Sequence, residues 1–240
     1  MAKKNTSSIS LILAVYNEIN IIEKAVKYCN EVLSRDFEDF EIILVDDGSV
    51  DGTGDVMEEF VKGNSRIRVV HNNINLNLGI SILRALALST KDYVVYNAVD
   101  LPLDPKDITW LIEKYIIDCD VLVLERKIYS GATLWRKIAS KVNRAFIRIL
   151  FPIASRGIKD MNFTQFFRRE VIKNIMPLAR SPAFTPPEMI LRARYKGLRV
   201  KSVLVDYWPR TLGKGAFGKP HDILWSLYDM FRFRLKSWKK

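Results

Sequence analysis

Apolar residues in the first half of the chain fall into short continuous runs separated by stretches of helical period. Ile9 to Val15, Glu41 to Val45, Ile67 to His71, Tyr93 to Tyr96 and Val121 to Leu124 read as buried strands. Between them the spacing predicts helices over about Ile19 to Leu33, Asp51 to Lys62 and Gly79 to Ser89. Strands alternating with helices imply parallel βαβ units with right-handed crossovers. Sheets of this kind take their ligands at the carboxyl ends of the strands. Polar clusters stand at those ends: Tyr16-Asn17-Glu18, Asp46-Asp47-Gly48-Ser49 and Asp100.

After Leu124 the rhythm breaks. Thr133 to Phe151 has the period of a basic amphipathic helix, followed by an irregular stretch rich in aromatics and prolines. Another basic, aromatic helix is expected from about His221 to Trp238. At about 100° per residue, Trp135, Ile138, Val142, Phe146 and Ile149 share one face of the first of these helices. Lys137, Lys141, Arg144 and Arg148 share the opposite face, and Arg136, Ser140 and Asn143 fall between. The basic stripe suits anionic lipid headgroups, with the apolar face against the protein or entering the interface; a solvated surface helix has the same pattern. The terminal helix is apolar over most of its circumference, so it is either buried or membrane-facing, and its Trp and basic residues favour an interfacial position.

At 240 residues the chain can form one sizeable α/β domain, and its net charge of +11 calls for an anionic partner. Charge alone leaves nucleic acid, anionic lipid and phosphorylated substrates open. No motif that reads RNA or DNA is present, and acidic strand ends argue against nucleic acid. Cys29 and Cys119 are in no metal-ligand spacing and read as reduced, buried thiols. The first ten residues lack a signal-peptide run, and nowhere do roughly 18 uncharged apolar residues follow one another. The expected location is therefore peripheral, at the cytoplasmic face of a membrane, on anionic lipids or on a membrane-spanning partner.

Several carboxylates at neighbouring strand ends repel one another unless they bind hydrogen-bond donors or a metal. Such side chains can accept from a base N–H or from ribose hydroxyls. Ser49 and Asp51 also make good helix caps. The pair Val15-Tyr16-Asn17-Glu18 and Val45-Asp46-Asp47-Gly48-Ser49-Val50-Asp51-Gly52-Thr53 resembles the donor half of family 2 glycosyltransferases. That resemblance implies the GT-A fold, a Rossmann-like, mostly parallel sheet flanked by helices. It implies a single domain over 1–240, with a nucleotide-sugar half at 1–125 and an acceptor and membrane-interface half at 126–240. It also implies that Tyr16, Asn17, Glu18, Asp46, Asp47 and Gly79 bind the donor nucleotide. Asn75-Leu76-Asn77-Leu78-Gly79 resembles the family's Asn-x-Gly-x-Gly segment, with Asn77 in place of the first glycine. Asn tolerates a positive φ better than most residues, so the turn can survive.

The family's Asp-x-Asp, which holds Mg²⁺ or Mn²⁺ against the diphosphate, corresponds here to Ala98-Val99-Asp100, followed by Leu101-Pro102. Asp100 is left as the metal ligand, with Asn97 able to contribute an oxygen from an adjacent register. Arg136, Ser140 and Asn143 resemble the Arg-x-x-x-Ser-x-x-Asn pattern of dolichyl-phosphate mannose synthases and other polyprenyl-phosphate glycosyltransferases. On that resemblance Arg136 and Ser140 bind an acceptor phosphate, and Arg126, just after the fifth strand, joins them because an anionic acceptor needs cations to position it. Asp160 to Glu170 is loosely similar to the family's Asp-x-x-Ser-Gly-Phe-Arg segment, and only Asp160 carries over. Phe184 to Glu188 resembles the acidic helix start beneath the donor sugar; it reads equally as a Pro-initiated helix with Glu188 in its first turn. Tyr207 to Lys214 resembles the segment whose Arg, here Arg210, closes over the diphosphate; Lys214 and nearby glycines suit a lid.

These implications describe an inverting transferase moving a sugar from a nucleotide (GDP-mannose or UDP-hexose) to a polyprenyl phosphate, with Asp100 and Arg210 stabilising the leaving group. Two alternatives stay open. One is a family 2 enzyme acting on a sugar hydroxyl, with Glu188 or Asp160 as base. The other is a weakened nucleotide-sugar-binding subunit, to which the carboxylate missing at Ala98 points.

Overall fold

In the computed structural model, residues 4–127, 134–179, 181–206 and 220–237 are described, apart from the side chains of 134–136, 220, 222 and 237. The first half follows the expected rhythm. Strand β1 (Ile9–Val15) leads through α1 (Ile22–Asp36) to β2 (Phe40–Asp46). Helix α2 (Thr53–Gly63), β3 (Ile67–His71), α3 (Asn77–Leu88) and β4 (Tyr93–Ala98) complete it. Helix α1 starts later than its apolar period predicts. Its approach is spent on tethers: Glu18 N–H donates to Thr53 Oγ1 and Ile19 N–H to Asp51 Oδ2. Asn77, at the start of α3, has φ +69, the left-handed conformation that Asn accepts in place of glycine.

The remaining elements are α4 (Asp107–Lys114), a 3₁₀ turn at Ile116–Asp118, β5 (Val121–Arg126) and α5 (Leu134–Leu150). Then come β6 (Gln165–Arg168), a second 3₁₀ turn at Arg169–Val171, α6 (Ile172–Ile175), α7 (Thr185–Tyr195), β7 (Val200–Val205) and α8 (Pro220–Ser237). All seven strands join one sheet in the order β3-β2-β1-β4-β6-β5-β7. Sequence periodicity did not reveal β6, a four-residue strand that runs antiparallel between β4 and β5. The sheet is therefore mostly, not wholly, parallel.

Every residue of β2 is buried, and so is nearly every one of β1, as expected of strands covered on both faces. One core cluster packs against α1, α2 and α4; the other lies against α3, α5, α7 and α8. At the amino-terminal end of the sheet, the buried Glu41 carboxylate accepts from Ser10 Oγ, Thr90 N–H, Thr90 Oγ1 and Arg68. Burial works against its charge, but these donors prevail and hold its pKa below the ordinary value. Cys29 and Cys119 are free and buried. Burial pushes their thiols up to about 12 and about 11, so neither is an accessible nucleophile.

Candidate active site

The order of strands places a topological switch beside β1. The chain leaves β1 for β2 on one side, and β4 returns on the other. Along the register, Val15 pairs with Asp46 and Ala14 with Ala98. The three polar clusters therefore converge at one sheet edge, where open α/β sheets bind nucleotides. Tyr16 is exposed there, and Asn17 adopts φ +53. Asn17 N–H donates to Ser49 Oγ and its Oδ1 accepts from Val50 N–H, so the loops after β1 and β2 are sewn together.

Asp46 and Asp47 do not stand as bare carboxylates in this cleft; both are buried and engaged by protein donors. Asp47 Oδ1 accepts from Asn72 Nδ2 at 2.8 Å, Leu76 N–H at 2.9 Å and Ser81 Oγ at 3.0 Å. Asp46 Oδ1 accepts from Ser49 N–H, while Oδ2 meets His71 Nδ1. Gly79 is buried in the first turn of α3, next to this network. Gly48, at φ +76, passes so close to the next loop that an added Cβ would lie 2.5 Å from the carbonyl carbon of Ile74. Only glycine fits that crossing.

Near the end of β4, the side chain of Asn97 is buried, and its Nδ2 donates to Leu103 O. It thus closes the 98–103 turn, a different task from the ligand position open to it on sequence. Leu101 N–H returns to Ala98 O, with Leu101 at φ +49. Burial pushes the Asp100 carboxyl above its ordinary pKa. No group of three His, Cys, Asp or Glu among the described residues is arranged to hold an ion by itself. A single carboxylate still fits Mg²⁺ when a diphosphate and water supply the remaining oxygens. Asp100 is the carboxylate that the chain offers at this strand end, and Ala98 adds no oxygen ligand from its side chain.

The carboxyl end of β5 lies on the same sheet edge, since β4 and β5 both run antiparallel to β6. A cavity of about 440 Å³ opens beside it, between α5 and the 159–160 segment. Arg126 and Ser140 both line it, together with Lys137, Lys141, Arg144 and Lys159. Three of these cations come from the face of α5 that the helical period assigned to lipid headgroups. Lys159 carried no sequence signal at all. Arg126 forms a two-pronged ion pair with Asp160, at 2.6 and 3.1 Å, and lies over the Phe163 ring. Glu125 is buried and accepts from Lys159 N–H.

Asn143 sits elsewhere. It bridges α5 to α8 by accepting from Ser226 Oγ and donating to Ala183 O. Glu188 is 1% exposed, in the first turn of α7. Its oxygens accept from Leu178 N–H, Ala179 N–H and Arg192, so it serves the turn before α7 and not an open sugar pocket. Arg210 and Lys214, and the side chain of Arg136, lie outside the described residues.

Residues 10–176 match the family model described as glycosyl transferase family 2. The chain belongs to that family. The chain is 26% identical over 216 residues to Glycosyltransferase AglD of Haloferax volcanii, covering 84% of this chain and 33% of that protein. It is 25% identical over 176 residues to the putative glycosyltransferase EpsH of Bacillus subtilis, covering 70% of this chain and 49% of the relative. The chain thus spans a third to a half of these curated relatives. Glucosyl-3-phosphoglycerate synthase from Mycobacterium tuberculosis, solved with Mn²⁺, uridine diphosphate and glucosyl-3-phosphoglycerate, superposes with a TM-score of 0.68 at 20% identity. That overlap covers 95% of this chain and 80% of the synthase, and it establishes the shared GT-A fold.

Proposed function

We propose that this glycosyltransferase moves a hexose from a nucleotide-sugar donor to a polyprenyl phosphate, with inversion, at a membrane surface. The observation that carries the reading is the cation-lined cavity at β5, on the same sheet edge as the donor motifs. Four lysine and arginine side chains besides Arg126 line it. Its two carboxylates are occupied, Asp160 by Arg126 and Glu125 by Lys159 N–H.

A phosphate acceptor matches that composition. It arrives ionised and needs cations to position it, whereas a sugar hydroxyl needs a base to take its proton. A phosphate oxygen attacks the anomeric carbon from the face opposite the nucleotide. The bond from that carbon to the diphosphate breaks, and the nucleoside diphosphate leaves with the electron pair. Tyr16 and the loops fixed by Asp46 and Asp47 hold the nucleotide, and Arg126 and Ser140 orient the acceptor. Asp100 would hold Mg²⁺ or Mn²⁺, which offsets charge on the leaving diphosphate. Arg210, from the 207–214 segment, would add its planar fork to the same oxygens.

The test is purified protein with a short polyprenyl phosphate, a panel of GDP- and UDP-sugars, and Mg²⁺ or Mn²⁺ against chelator. A lipid-linked sugar that is lost with chelator is expected. No product with any donor refutes the acceptor assignment, and product formed equally in chelator removes Asp100 as a metal ligand. Parallel reactions with a phosphorylated sugar acid and with neutral sugars detect the hydroxyl-directed alternative.

A further inference from the structure

Helices α5 and α8 turn apolar stripes outward. Of nineteen exposed large apolar side chains among the described residues, eight are on these two helices. At about 100° per residue, Ile138, Val142 and Ile149 fall within a narrow arc of α5. That arc is opposite the buried Ile147, and Ile149 is 74% exposed. On α8, Leu224, Tyr228, Phe231 and Leu235 form the corresponding stripe, opposite the buried Phe233 and Asp229; Leu224 is 68% and Leu235 64% exposed. The amphipathic pattern of α5 is therefore not spent on the core. Both helices belong to one packed layer, tied by Asn143 and Ser226.

Each stripe has a basic border. Lys141 and Arg148 flank that of α5, which contains no acidic residue, and Arg232 and Arg234 lie on the two sides of that of α8. Trp225, at the edge of the α8 stripe, is the kind of side chain that settles at headgroup level. The cation-lined cavity opens directly beside the α5 stripe, since Ile138 of the stripe and Lys141 of its border both line it. No described helix is long and apolar enough to cross a membrane.

We infer that the α5 and α8 stripes form one docking face that lies on an anionic phospholipid bilayer, with the cavity at its margin. Apolar side chains enter the acyl boundary while lysine and arginine meet the headgroups, the arrangement that drives interfacial helix binding. This deepens the acceptor reading, and only the cavity's part rests on it: a phosphate held by Arg126 and Ser140 lets its isoprenoid pass over Ile138 into the bilayer. The docking itself does not depend on the acceptor.

The experiment is flotation of the whole chain with vesicles of phosphatidylcholine alone or mixed with phosphatidylglycerol, at low and high salt. Wild type should float with the anionic vesicles, less so with neutral ones or in high salt. The exposed-site pairs Val142→Glu with Ile149→Glu, and Tyr228→Glu with Phe231→Glu, should each cut binding roughly tenfold or more. Their unchanged thermal melting separates this loss from misfolding. Wild type that stays in the aqueous fraction, or variants that float as well as it does, overturns the proposal. So does a solution dimer that these variants convert to monomer, since the stripes would then cover one another. Vesicle binding without lipid-linked product defeats the acceptor reading and leaves the docking face standing. Product from a short soluble acceptor without vesicle binding does the reverse.

Discussion

His71 Nδ1 lies 2.9 Å from Asp46 Oδ2, across the parallel register that pairs the ends of β2 and β3. His71 Nε2 reaches Glu58 Oε1 at 2.8 Å, so one imidazole joins the carboxyl end of β2 to helix α2. Burial opposes charging of this ring, but the hydrogen bonds to Asp46 and Glu58 outweigh it and raise its pKa above the ordinary imidazole value.

A raised folded-state pKa fixes the sign of a pH effect. The imidazolium contributes its full stability below the unfolded value of about 6.5, and the contribution fades as pH rises through the folded value. His71→Gln should therefore lower the melting temperature more at pH 6 than at pH 9. Equal losses at the two pH values would show that His71 is neutral in the folded protein.

Asp47 should prove a structural residue before it proves a ligand. Asp47→Ala leaves the donors of Asn72, Leu76 and Ser81 without an acceptor in a buried place, a loss of about 2–4 kcal/mol. Asp47→Asn keeps the Oδ1 acceptor and should cost less. Chemical denaturation measures both; an Asp47→Ala variant as stable as wild type would remove this role.

The Arg126–Asp160 pair should act on the acceptor. Arg126→Lys keeps the charge but loses the two-pronged grip on Asp160. Acceptor KM is expected to rise about tenfold or more, the worth of one charged hydrogen bond, while donor KM stays near wild type. Equal changes in both constants would place Arg126 outside the acceptor subsite.

Glu188→Ala should act on folding. The substitution strips the acceptor from the 178 and 179 amides and leaves Arg192 without its partner, a cost of about 3–5 kcal/mol. Glu188→Gln retains an acceptor and should fold, with donor KM little changed. A large rise in donor KM for a well-folded Glu188→Gln would return this residue to the sugar site.

The sequence by itself determined the first half of the sheet. Each strand there is a compact apolar run, and each ends in polar residues whose edge follows from the βαβ connection. Local chemistry was enough to place Asn17, Asp46 and Gly48 at strand ends and Asn77 at a turn, because strand period and φ preference are properties of neighbouring residues. What the carboxylates touch was not local: Asp47 meets Asn72 and Ser81, and Asp46 meets His71, only once β2 and β3 align. The second half depended more on packing. A four-residue strand such as β6 has too few alternations to show a period, and its place between β4 and β5 is set by the sheet. Periodicity found both faces of α5, yet it could not say which one the core would cover. Tertiary structure decided that Ile138, Val142 and Ile149 face outward and that Lys137, Lys141 and Arg144 gather around Arg126. A helical pattern fixes angles around an axis, and only neighbouring elements fix the direction in which that axis is turned.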